Sequence, residues 1–291
     1  MTPFAKELIE QLRQAPEHQL MAIVEFARLQ ADERRQLMDH FLEDARPILY
    51  HEGFSNLRDI GPWLFSPGQR TDLQSQYDFH CTLTEMAGDA LCGWLVSAQE
   101  PFRLAHHLGQ ATTAQGPDGG TYMLRFHTEQ AFPVLHARHD LPGIAHLLAP
   151  IRSWWVMEPH PEHRAWRHFA GYDQPQLCGV PLIQLDHACR DALGGDPLSY
   201  QLAEQLEEPL AASLSENCYG TRLGHVQKLL AEARKNGLNR PEDQCDYVAL
   251  VIQRGQDLQA TPRWQEALAE ARDNGRPLAL ALQARLSPNL E

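Results

Sequence analysis

The chain has 291 residues, 43% hydrophobic and 22% charged, which suits one large domain or two modest ones and excludes a disordered tail or a mini-protein. Asp and Glu total 38 against 25 Lys and Arg, and the resulting charge of -13 argues against a sequence-independent nucleic-acid binder. Of the 15 histidines, 13 precede residue 171, as do five of the six tryptophans, so the side chains most capable of chemistry crowd the first part of the chain.

Thr2-Pro3 reads as an N-cap followed by proline at the first helical position, and Phe4, Leu8, Ile9 and Leu12 then share one face, so residues 1–17 form an N-terminal helix. The run His18 to Leu29 suits a buried strand or a helix; the strand is favoured because Asp32 then caps a helix to about Asp44 with Leu37, Met38, Phe41 and Leu42 inward. Short apolar pieces at 48–50 and 60–65 follow between glycine and proline punctuation. Leu91 to Ser97 is a compact strand, and Pro101 opens a helix bearing Phe102, Leu104, Ala105 and Leu108. The turn Gly116 to Gly120 precedes an alternating strand at 121–127, helical patterns follow at 129–138 and 143–148, and Ile151 to Met157 is again a strand.

From about Pro181 the strand signal gives way to helices opened by Asp196-Pro197, Asn239 to Pro241 and Thr261-Pro262, with Gly237 ending the one from Thr221. The expected organisation is therefore an α/β (α+β) domain over 18–170 with a mixed sheet and packed helices, a linker at 171–181, and an all-α lobe over 182–291.

Catalytic signatures are scarce. No serine sits in a G-x-S-x-G frame, and neither phosphate-loop pattern is present, so no catalytic residue and no cofactor is expected. Histidine spacing leaves one enzyme alternative: His136 and His139 lie i, i+3 on a helix with Asp140 at its end, a candidate metal set that lacks any spacing with a mechanism attached. Cys81, Cys92, Cys178, Cys189, Cys218 and Cys245 are scattered and read as reduced thiols in the packing, without a disulfide framework or zinc site. No apolar run approaches the roughly 20 residues of a membrane span, and Met1 to Gln14 is interrupted by Lys6, Glu7, Glu10 and Arg13, so a cytoplasmic protein with no membrane partner is expected.

The aromatic residues carry more. On a strand Trp154 and Trp155 face opposite sides, so both are core if the sheet is covered on both faces, and one is a partner-binding anchor if it is not. Trp63, after Gly61-Pro62, joins them as a candidate contact, and Arg125 and Arg152, placed on strands, read as ion-pair formers or partner contacts.

Four ordered segments support a resemblance: Gly61-Pro62-Trp63-Leu64; Trp94 to Ser97 followed by Pro101 and His107-Leu108; Asp118 to Phe126 as D-G-x-x-Y-x-L-R-F; and Ala149-Pro150-Ile151-Arg152-x-Trp154. Together they resemble the type VI secretion effector chaperone or adaptor family over about residues 18–169, with a helical extension that many members carry. The chain departs from that pattern with His127-Thr128-Glu129 after Arg-Phe and with Ala149 before Pro150. The resemblance implies a non-catalytic cytoplasmic protein whose partners are a cognate secreted effector and the spike protein that delivers it.

Overall fold

The structure, a computed structural model, describes residues 1–68, 72–177, 179–214 and 218–286. Cys178 therefore lies outside the described residues. The chain forms two compact units, one of Met1–Glu158 with Trp166–Gly195, the other of Pro159–Ala165 with Asp196–Glu291.

In the first unit, α1 (Pro3–Gln14) begins where Thr2 Oγ1 accepts the Ala5 N–H at 3.1 Å. It leads into β1 (Gln19–Glu25), so the ambiguous apolar run is indeed a strand. Helix α2 (Ala31–Phe41) starts at Gln30 rather than Asp32, because Glu33 turns back to accept the Gln30 N–H at 2.7 Å. A short 3-10 turn after Phe41 points Leu42 to solvent, against the inward placement expected for it. Next come β2 (Ala45–Pro47), β3 (Pro62–Phe65), α3 (Leu73–Ala87), β4 (Leu91–Ser97) and α4 (Pro101–Gln110). The hairpin β5 (Thr113–Gln115) and β6 (Thr121–Met123) closes over the glycine turn, where the Gly116 N–H reaches the Gly120 carbonyl at 2.8 Å. Helices α5 (Ala131–His136) and α6 (Ile144–Leu148) precede β7 (Ser153–Glu158) and β8 (Ala165–Ala170), then β9 (Ile183–Gln184) and α7 (His187–Gly194). The stretch expected as a linker thus leads into β9, which pairs with β5.

The main sheet orders its six strands β2-β3-β1-β4-β7-β8, antiparallel at β2–β3, β3–β1, β1–β4 and β4–β7. Mixed pairing belongs to the second sheet, where β5 is antiparallel to β6 and parallel to β9. Alternation along the strands sends Leu20, Ala22, Val24, Trp94, Val96 and Trp155 into a core with α1, α2 and α3. The opposite set, Met21, Ile23, Leu95, Trp154 and Val156, packs with α4, α5 and α6. Helices therefore cover both faces, which explains why the central strands read as continuous apolar runs.

One glycine is required by this packing. A Cβ on Gly93 would sit 2.8 Å from Trp154 Nε1 and 2.9 Å from the Trp155 carbonyl, so the indole of β7 lies directly over β4.

The second unit is helical: α8 (Pro197–Gln205), α9 (Glu207–Ser213), α10 (Tyr219–Lys235), α11 (Pro241–Arg254), α12 (Gln256–Gln259), α13 (Pro262–Asn274) and α14 (Leu278–Leu286). Leu223, Val226, Leu230, Tyr247, Val248 and Trp264 belong to its core. The buried Asp243 ties α11 to α14 by accepting the Leu278 N–H at 2.9 Å while Arg240 bridges it at 2.7 Å. The segment Pro159–Ala165 packs here too: the His160 N–H donates to the Gly220 carbonyl at 3.2 Å, and the bare Cα of Gly224 admits the His160 backbone, which would lie 2.4–2.7 Å from a Cβ.

Candidate functional site

Arg125 does not lie on a strand. It follows β6, and its guanidinium donates to Glu25 Oε2 at 3.0 Å. His127 Nε2 donates to the same oxygen at 2.6 Å, and both Glu25 and His127 are buried. Burial alone would raise the Glu25 pKa, but the hydrogen bond and charge of His127 and the charge of Arg125 outweigh it and hold the carboxyl at about 2. An ionised carboxylate only accepts, so the Nε2 of His127 must carry the proton. Alongside, Arg28 bridges the buried Glu129 at 2.8 Å. Next to these charges, burial pushes the Cys92 thiol up to about 12, leaving it neutral. His127 and Glu129, two of the residues that depart from the pattern the sequence resembles, are thus both buried and bonded to Glu25 and Arg28.

Arg152 also lies off the strand, just before β7. It donates to Asp173 Oδ2 at 2.9 Å, while His18 Nε2 donates to Asp173 Oδ1 at 2.5 Å. Partial burial works against the Asp173 charge, yet these two donors lower its pKa. Asp173 holds a left-handed backbone at φ 52°, with its N–H on the Ile151 carbonyl at 3.0 Å. The fourth sequence segment is fastened by this triad and by Ser97, whose hydroxyl donates to the Pro150 carbonyl at 2.6 Å.

Trp154 and Trp155 are both buried, one on each covered face of the sheet. The Trp155 indole N–H donates to Glu7 on α1 at 2.9 Å, and Trp154 packs against Phe132 with ring centres 4.1 Å apart. Trp63 is half-buried, stacks on Phe26 at 5.3 Å, and donates to the Arg58 carbonyl at 3.1 Å. The five sequence candidates therefore do not converge on one surface. Trp63 and Arg125 lie around β1, whereas Arg152, Trp154 and Trp155 belong to β7 and its approach.

The candidate metal set is engaged elsewhere. His136 Nε2 donates to the Ala170 carbonyl at 2.9 Å, and Arg138 takes both oxygens of Asp140 at 2.9 and 3.0 Å. Among the described residues no group of three or more His, Cys, Asp or Glu could hold a metal ion.

A groove of about 980 Å³ lies at the end of the sheet where β1 begins. Phe41 of α2 and Phe79 of α3 line it, and Gln19, Arg46 and Ser66 contribute from the strands and their ends. Four carboxylates, Glu43, Asp44, Asp78 and Glu100, surround it together with His40 and Phe102. Phe102 at the second position of α4 is 61% exposed, while Leu104, Ala105 and Leu108 of the same helix are buried.

Residues 21–145 match the model of the family described as Domain of unknown function (DUF4123). No curated protein and no solved structure matches the chain. The matched stretch runs from β1 into α6 and takes in Glu25, Arg28, Arg125, His127 and Glu129. Every lining residue of the groove except Gln19 lies within it.

Sequence reasoning did not single out the groove. One signal was available: at about 100° per residue, Phe102 points well away from the centre of the stripe made by Leu104, Ala105 and Leu108, which is unusual for a large aromatic on a buried helix. Glu43, Asp78 and Glu100 come from three elements far apart in sequence, and only the fold gathers them.

Proposed function

We propose that this protein is a non-catalytic adaptor, a chaperone that binds a cognate type VI secretion effector in the cytoplasm and helps load it onto the spike protein. The observation that carries this reading is the family match over residues 21–145, which contains three of the four ordered segments that resemble the effector chaperones. The geometry agrees with it. The polar residues of those segments serve the fold, through Arg125 on Glu25 and Ser97 on Pro150, and His136 and His139 of the candidate metal set contact backbone carbonyls. A partner-binding protein needs a stable scaffold and a surface with apolar anchors rimmed by polar groups. No described helix is long and apolar enough to cross a membrane.

Co-expression with the proteins encoded beside it, followed by co-purification in mild salt, tests the proposal. A neighbouring effector should co-purify as a defined complex and lose solubility when expressed alone. Failure of every neighbouring effector and spike protein to co-purify overturns it.

A further inference from the structure

Building on the adaptor reading, we infer that the groove walled by α2, α3 and the start of α4 is the docking site for a basic, apolar-anchored segment of the partner protein. Small-molecule sites are mostly apolar with a few polar groups, in volumes of about 300–1,000 Å³. This groove has the volume, about 980 Å³, but three carboxylates, Glu43, Asp78 and Glu100, line it beside the single guanidinium of Arg46 among the described lining residues. Glu43, Asp78 and Glu100 are exposed, so they form a wet rim, and the exposed ring of Phe102 lines the same groove.

The complement of this arrangement is a segment with Lys or Arg spaced around one large apolar side chain. The cations meet the rim, the apolar side chain meets Phe102, and like-charged partners are repelled. A second copy of this chain is a poor occupant, because each carries a charge of -13.

The test uses the full-length protein and the neighbouring effector. Reversing the rim with Glu43→Lys, Asp78→Lys and Glu100→Lys should weaken effector binding at least about tenfold without changing the melting temperature. Phe102→Ala alone should cost about tenfold. Reversal of Glu52, Asp59 and Glu85, all exposed and not lining the groove, should leave affinity within about twofold, because salt screens exposed charges that do not touch the site. A rim variant that binds normally, or a control triple that loses as much, overturns the inference and leaves the adaptor reading standing. If the effector does not bind the wild-type protein at all, the adaptor reading falls.

In that event the groove is decided by two labelled ten-residue peptides of the same apolar residues, one carrying Arg and the other Glu at the charged positions. Rim-dependent binding of the Arg peptide alone supports the site; equal binding, or none, overturns it. A dimer in sedimentation that dissociates on rim reversal also overturns it, since the occupant is then a second copy.

Discussion

At the residue scale, the strongest commitments lie in Glu25 and the tryptophan pair. Glu25 releases its proton far more readily in the folded protein than at its ordinary 4.5, so its contribution is complete above about pH 4.5 and fades as the pH falls toward 2. Glu25→Gln should therefore lower stability at neutral pH by about 2–3 kcal/mol, moderated because Arg125 is half exposed, and flatten the acid limb between pH 4.5 and 2. Urea unfolding followed by tryptophan fluorescence at several pH values reads both effects, because Trp63, Trp94, Trp154, Trp155 and Trp166 all lie in the same unit as Glu25. An unchanged acid limb in the variant would assign the pH dependence to other carboxylates. Trp154→Ala, which empties a fully buried site against Phe132, should cost about 3–5 kcal/mol by the same measurement. The sequence placed the two rings on opposite faces by strand alternation. What it left open was whether the second face is covered, a property of α1 and α3 rather than of β7.

At the scale of elements, legibility followed how cleanly apolar spacing marks a buried face. The strands β1, β4 and β7 and the capped helices of the second unit were readable. Helix α3 was not, because Gln76 and His80 sit buried on its inner face among Phe79, Leu83 and Ala87. Gln76 is there to accept the Leu20 N–H of β1 at 2.6 Å, a tertiary requirement that interrupts the apolar stripe. Strand β8 was hidden by exposed Arg167 and His168, polar residues of the kind found on sheet edges. Arg125 and Arg152 were read as ion-pair formers or partner contacts, and each does form an ion pair, but from the turn beside a strand. Glycines give the test at this scale. Gly224→Val drives a side chain into the His160 backbone and should destabilise the helical unit by about 2 kcal/mol or more, seen as a lowered helical transition in circular dichroism. Gly194→Ala, where a Cβ meets nothing within 4 Å, should be neutral or mildly stabilising.

At the scale of the molecule, composition described the chain better than it described its chemistry. The histidine surplus of the first part suggested metal, yet His18 and His127 are buried against Asp173 and Glu25 and His136 donates to the Ala170 carbonyl, so these three serve the fold. The charge of -13 has a local counterpart in the groove's rim, assembled from Glu43, Asp78 and Glu100. No linear window reveals such a gathering. If that rim captures the partner, effector binding should weaken steeply as salt rises from about 0.05 to 0.5 M, since exposed charges are screened over that range. Titration calorimetry at several salt concentrations measures the slope, and a salt-independent affinity would point to an apolar interface elsewhere.

The excursion of Pro159–Ala165 into the helical unit has a consequence for how the chain is made. During synthesis β7 and β8 leave the ribosome well before α10, the helix whose Gly220 and Gly224 receive His160. The hairpin tip must wait, its His160 N–H without the carbonyl it will bond, until the chain has grown past Lys235. A protein cut after Gly195 would keep that tip permanently waiting, so the second unit is a piece of unfinished business for the first half of the chain and not an appendage that can be trimmed at one site.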